Sequence, residues 1–173
     1  MMNKKILEML NEQVTKELYS SILYLQMAAW CETQDLSGFA NWMKIQSQEE
    51  LDHLKIFYQF ISDSGGMVEI GAIQKAPVDY SSPLDILEKS LAHEKIITAA
   101  IHNLMEVAME SKDYPTISFL DWFIREQVEE EATLCNLINN VKRIGNSGEG
   151  IFMFDNNLSQ RTYTLPGPLA GKE

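Results

Sequence analysis

Cysteine is nearly absent, with only Cys31 and Cys135 in 173 residues. They lack C-x-x-C spacing, which excludes a zinc knuckle or a redox pair and leaves two packed or surface thiols in a reducing compartment. Basic residues are scarce too: 14 Lys and Arg face 25 Asp and Glu, for a net charge of -11. Phosphate contacts need clustered cations, so no nucleic-acid partner is expected. The acidic balance favours a cationic partner, and a small metal ion is the simplest. No apolar run reaches the roughly 18 residues of a membrane span. Met1-Met2-Asn3-Lys4-Lys5 is followed by Glu8, Asn11 and Glu12 rather than by an apolar signal core, so the expectation is a cytoplasmic protein without a membrane partner.

What is present is helical periodicity. At this length, with 45% hydrophobic residues, the chain makes one all-α domain with a sizeable core. Helix A is expected over about residues 4–33, with Ile6, Leu10, Val14, Tyr24, Leu25 and Ala28 inward. Helix B follows over about 37–63 and ends at Gly65-Gly66. The next stretch, to about residue 81, has little periodicity. It is long enough to run the length of a helix pair, as a four-helix bundle with one long crossover requires. Helix C opens at Ser82-Pro83-Leu84-Asp85 and runs to about 111, with Leu84, Leu87, Leu91, Thr98, Ile101 and Met105 inward. Helix D starts at Asp113-Tyr114-Pro115 and runs to about 144, on a stripe of Phe119, Phe123, Leu134, Leu137 and Val141. After Gly145-Asn146-Ser147-Gly148 comes a short apolar piece with Ile151, Phe152, Phe154 and Leu158, read as helix E packed on the bundle or on another subunit. Residues 1–160 thus form the bundle with its short fifth helix, and 161–173, with Pro166-Gly167-Pro168, read as a flexible tail.

The chemistry lies on the inward stripes. Glu50 and His53 sit one turn apart on helix B, near the centre of a stripe made by Phe39, Trp42, Met43, Phe57, Phe60 and Ile61. Helices A, C and D each add one inward carboxylate: Glu17, Glu94 and Glu130. Packed as a bundle, these groups meet at one level. Two ionised carboxylates ~4 Å apart repel by roughly 4 kcal/mol at an effective dielectric of 20. Protonation relieves this, and so do two divalent cations. Oxygen ligands with one imidazole suit iron or manganese better than a soft-ligand zinc site. Only helix B carries E-x-x-H; helix D has Gln127 three residues before Glu130, so the second metal would be held by carboxylates alone and more weakly. Tyr24 shares the face of Glu17, as a core aromatic or as a close neighbour of the site. Gln127 is either a satisfied core amide or another such neighbour. Glu49, Glu126 and Glu129 form either a solvated acidic face or a third metal position. His93 and His102 lie off the centre of the helix C stripe.

These residues carry a family resemblance. Leu10-Asn11-Glu12-Gln13, Glu17-Leu18-Tyr19-Ser20-Ser21, Gln48-Glu49-Glu50 with His53, His93-Glu94, Asp113-Tyr114-Pro115-Thr116, Glu126-Gln127-Val128-Glu129-Glu130-Glu131 and Ser147-Gly148-Glu149-Gly150 together resemble the prokaryotic non-haem ferritins. The resemblance implies a ferritin-like four-helix bundle that stores ferric mineral inside a homo-oligomeric shell of 24 subunits, with helix E at the four-fold axes. It implies a ferroxidase centre that oxidises Fe(II) with dioxygen or hydrogen peroxide. By position, Glu17, Glu50 and His53 would hold one iron, and Glu50, Glu94 and Glu130 the other, with Glu50 bridging and Gln127 and Tyr24 adjacent. Glu49, Glu126, Glu129 and Glu130 would form the third iron position. Haem-binding bacterioferritins place Met directly after the helix B Glu and carry E-x-x-H on helix D; here Leu51 and Thr133 stand at those places, so no haem is expected. A rubrerythrin-type cysteine iron domain is likewise not expected. The competing reading of the same residues is a non-catalytic metal-binding or buffering bundle, or one whose carboxylates are purely structural.

Overall fold

The structure, a computed structural model, describes residues 3–170. Five helices and no strand occur among them: α1 (Lys4–Thr33), α2 (Ser37–Asp63), α3 (Pro83–Glu110), α4 (Tyr114–Ile144) and α5 (Gly148–Leu158). Four of the five start at a side-chain cap. Asn3 accepts from the Lys5 N–H, Ser82 from Asp85, Asp113 from Thr116 and Ser147 from Gly150. Each such cap is worth about 1 kcal/mol. Pro83 and Pro115 occupy first-turn positions where the missing N–H costs nothing.

α2 has no local cap. Its Phe39 N–H donates instead to Asp155 Oδ1 at 2.8 Å, from α5. α5 lies across the start of α2 because Gly38 leaves room for it: a Cβ on Gly38 would stand 1.7 Å from the Asp155 carbonyl oxygen. The fifth helix therefore packs on the bundle's own α2, while its Phe152 and Met153 remain exposed on the chain.

α1 and α2 run antiparallel, as Ser21–Ser47 and Glu32–Lys44 contacts show, and α3 and α4 do the same through Glu94–Gln127 and Glu88–Lys142. The crossover from α2 to α3 is fastened along α1. Asn11 bonds the backbone of Met67 and Glu69, Thr15 accepts from the Gly71 N–H, and Tyr80 meets Trp30 edge-on. The connection thus travels most of the length of α1, which delivers the chain to the far end of the bundle for α3.

Two dry clusters fill the ends of the bundle. One is built around Tyr24, Phe39, Met43, Leu87 and Leu134, the other around Leu10, Phe57, Ile101 and Phe123. Between them in all four long helices lies a polar layer of buried Glu17, Glu50, His53, Glu94, Gln127 and Glu130, joined by Gln13 and Gln46.

Three sequence readings are corrected. Leu25 is 55% exposed rather than inward, because it sits a third of a turn or so from Tyr24, which fills the core. On α3 the buried line runs through Ile86, Ser90, Glu94, Ile97, Ile101 and Leu104, with Leu84, Leu91, Thr98 and Met105 only half-buried beside it. The tail is not free along residues 161–170. The Arg161 guanidinium lies over Trp42, Asn41 Nδ2 bonds the Arg161 carbonyl at 3.0 Å, Tyr163 donates to Asp52 at 2.5 Å, and Leu169 packs against the second cluster. Residues 171–173 of the expected tail lie outside the described residues.

Candidate metal centre

Helical periodicity places one carboxylate per helix in the polar layer, and the antiparallel pairing brings them to one level. Glu17, Glu50 and His53 converge: one ligand atom from each lies within 4.8 Å of the others, and all three residues are buried. Gln13 Nε2 donates to Glu17 Oε1 at 2.7 Å, and His53 Nδ1 lies 3.3 Å from Glu50 Oε2. The remaining atoms, Glu17 Oε2 and His53 Nε2, are buried without a hydrogen-bond partner among the described residues. An unpaired buried polar group costs roughly 1–3 kcal/mol. Glu17 Oε2 is thus an unmet ligand of the trio that a cation would satisfy, while His53 Nε2, on the opposite edge of the ring from the Glu50 contact, lies 3.9 Å from Glu126.

Glu94 and Glu130 sit next to this trio but point into other partners. Glu94 accepts from the Tyr24 hydroxyl at 2.5 Å and from Gln127 Nε2 at 3.1 Å. Glu130 accepts from Gln46 Nε2 at 2.8 Å, and the same amide reaches Glu50 at 3.5 Å. Tyr24 and Gln127 are thus direct neighbours of one carboxylate, Glu94. Of the acidic face, Glu126 lies 3.9 Å from His53 Nε2 and is half-buried; Glu49 is paired with Arg161 at 2.6 Å; Glu129 is exposed. His93 contacts Ser20 at 2.7 Å and His102 is exposed, both away from the trio.

Burial dominates the titration of the layer. It pushes Glu17, Glu50 and Glu130 well above the usual carboxylate range, and neighbouring carboxylates push further: Glu50 on Glu17, Glu94 on Glu50 and on Glu130. Burial also raises Tyr24, reinforced by Glu94. A carboxyl raised in this way keeps its proton to a higher pH than a free one and must give it up to a dication, so cation binding weakens as pH falls.

The same shift fixes the sign of a stability effect. A carboxyl raised in the folded state contributes fully below its unfolded value, about 4.3 for Glu, and that contribution is lost as pH rises through the raised value. Glu17→Gln mimics the protonated acid: it keeps the Gln13 contact and carries no charge. It should raise the melting temperature of chelator-stripped protein at pH 8 by several degrees, at about 2–4 °C per kcal/mol for a chain of this size. The gain should shrink towards pH 4. A thermal melt series over that range checks this, and an equal or lower melting temperature at pH 8 would refute the buried-charge account.

Sequence reasoning missed the amides and the guanidinium. Gln13 and Gln46 each stand four residues before a layer carboxylate, Glu17 and Glu50. That repeated Q-x-x-x-E spacing was a usable signal, since i,i+4 amide–carboxylate pairs share a helix face. Arg161 gave none; its contact with Glu49 spans 112 positions.

A helical bundle whose centre is a carboxylate layer with one imidazole and an unmet ligand defines a metal-handling protein. Comparison with known proteins agrees and narrows it. Residues 7–144 match the family model of the ferritin-like domain. The chain is 39% identical over 163 residues to a bacterial non-heme ferritin of Staphylococcus aureus strain MRSA252, covering 94% of this chain and 98% of that protein. It is 37% identical over 159 residues to one from Escherichia coli O6:H1, covering 92% and 96%. A solved open pore ferritin of Archaeoglobus fulgidus superposes with a TM-score of 0.92 at 40% identity, over 93% of this chain and 98% of that one. The chain belongs to the ferritin family.

Proposed function

We propose that this protein stores iron and oxidises it on entry. Glu17, Glu50 and His53 hold one Fe(II); Glu50, Glu94 and Glu130 hold a second, with Glu50 bridging. The observation that carries this reading is the buried trio with its partnerless Glu17 Oε2. Each Fe(II) gives up one electron. Dioxygen takes two electrons and two protons to become hydrogen peroxide, or peroxide takes two and two to become water. Anionic oxygen ligands favour the ferric product, because the higher charge gains more from them. Tyr24 and Gln127 orient Glu94, and Gln46 orients Glu130 and Glu50. Glu49, Glu126, Glu129 and Glu130 form a third position on the side where His53 Nε2 faces Glu126. The site uses no haem.

Ferric ion then leaves for an interior cavity and hydrolyses to mineral, which requires a closed homo-oligomer; the resemblance implies 24 chains. Exposed Phe152 and Met153 on α5 suit a chain–chain contact. Among the described residues no helix is long and apolar enough to cross a membrane. The resemblance to bacterial ferritins supports a cytoplasmic location.

The test is the growth of ferric absorbance in air after adding about two Fe(II) per chain to the native protein and to Glu130→Ala. A fast native phase that the variant loses supports an oxidase centre that uses α4. Equal, slow rates in both would leave a passive metal-binding bundle.

A further inference from the structure

The C-terminal segment reaches the metal layer through one side chain. Arg161 donates from one guanidinium nitrogen to the Trp42 carbonyl at 3.2 Å and to Gln46 Oε1 at 3.0 Å, and from the other to Glu49 Oε2 at 2.6 Å. Its Cζ lies over the Trp42 ring, 4.5 Å from the ring centre. The pair is mostly withdrawn from water, with Arg161 25% and Glu49 18% exposed. The backbone around it is clamped: Asn41 Nδ2 lies near the carbonyls of Leu158, Ser159 and Arg161 at 3.3, 3.4 and 3.0 Å, and Tyr163 bonds Asp52.

Two consequences follow from the chemistry of a guanidinium. It carries only donors and stays charged at all relevant pH, so the Gln46 amide must turn its oxygen to Arg161 and its nitrogen to Glu130 and Glu50. It also places a fixed positive charge on Glu49, the carboxylate that would otherwise face an incoming cation. We propose that Arg161 is a built-in competitor for Glu49: a divalent ion takes Glu49 as a ligand only by displacing the guanidinium. The C-terminal segment thereby sets how readily the third position fills, while the Glu17–Glu50–His53 trio, which Arg161 reaches only through Gln46, changes far less. This inference rests on the reading of Glu49 as part of a third position.

The experiment is calorimetric titration of Zn(II), which is redox-inert, into the assembled, chelator-stripped native protein. The same titration is run on Arg161→Gln, Arg161→Lys, Glu49→Gln and the Arg161→Gln/Glu49→Gln double variant. Expected is a weak class of sites that tightens on the order of tenfold in Arg161→Gln, a factor that corresponds to about 1.4 kcal/mol. Arg161→Lys, which keeps the charge but loses the fork, should tighten it less, and this variant decides the matter should Arg161→Gln fail to assemble. The gain should vanish in the double variant. A weak class that Glu49→Gln removes but neither Arg161 variant alters would overturn the competition and leave the third position standing. Identical weak binding in all five proteins would overturn both.

Discussion

Glu50→Ala should abolish the fast phase of iron oxidation, lowering the initial rate at least about a hundredfold, equivalent to ~2.7 kcal/mol of lost transition-state stabilisation. Glu50 is the member of the trio that also shares a hydrogen-bond donor with Glu130. It contacts His53, lies within ligand distance of Glu17, and shares the Gln46 amide with Glu130. Removing it takes a ligand from both positions of the proposed oxidising pair, whereas Glu130→Ala takes one from only one of that pair. Stopped-flow absorbance at about two Fe(II) per chain should therefore rank the variants, with Glu50→Ala slowest, Glu130→Ala next and native protein fastest. The loss should not be a folding defect, since a smaller apolar residue also removes a buried charge. A Glu50→Ala protein that keeps the native fast phase would mean that oxidation takes place elsewhere in the molecule.

Gly38→Ala should be the most damaging single-methyl change in the chain. The added Cβ would stand 1.7 Å from the Asp155 carbonyl oxygen and 2.5 Å from its carbonyl carbon. Both are backbone atoms, so no side chain can rotate away and α5 itself must lift. With it go the side-chain bond that satisfies the start of α2, from the Phe39 N–H to Asp155, and the seating of Leu158 in the first cluster. Overpacking of this kind together with a lost cap costs about 3 kcal/mol or more. The expected result is a melting temperature lower by about 6–12 °C and new proteolytic cleavage between α4 and α5. A melt within about 2 °C of native would mean that α5 is not held on α2 in this way.

Much of this arrangement is written locally. Ser82-Pro83 and Asp113 with Pro115 announce α3 and α4 through caps that act within one turn, and the structure starts those helices there. The inward register of Glu17, Glu50, His53, Glu94, Gln127 and Glu130 follows from 3.6-residue periodicity, because each shares a face with apolar neighbours that must be buried. Leu25 shows where that logic fails: an apolar residue beside a core position is not itself core, and periodicity alone does not mark the edge of a stripe. The cap that α5 gives α2, and the hold of Arg161 on Gln46 and Glu49, were illegible for another reason. They join residues more than a hundred positions apart, and neither partner carries a local pattern that announces the other.

The two cysteines described at the outset differ in a way that makes one of them useful. Cys31 is fully buried, and burial pushes its thiol up to about 12, so at neutral pH it is neither accessible nor a thiolate. Cys135 lies exposed on the outer side of α4. A maleimide dye added to the folded protein therefore reads a single atom per chain, with no competing signal. If assembly leaves that side of α4 open to solvent, the number of dyes on a single particle counts its chains. If assembly covers it, labelling appears only on dissociation, and the thiol becomes a clock for how fast subunits come apart.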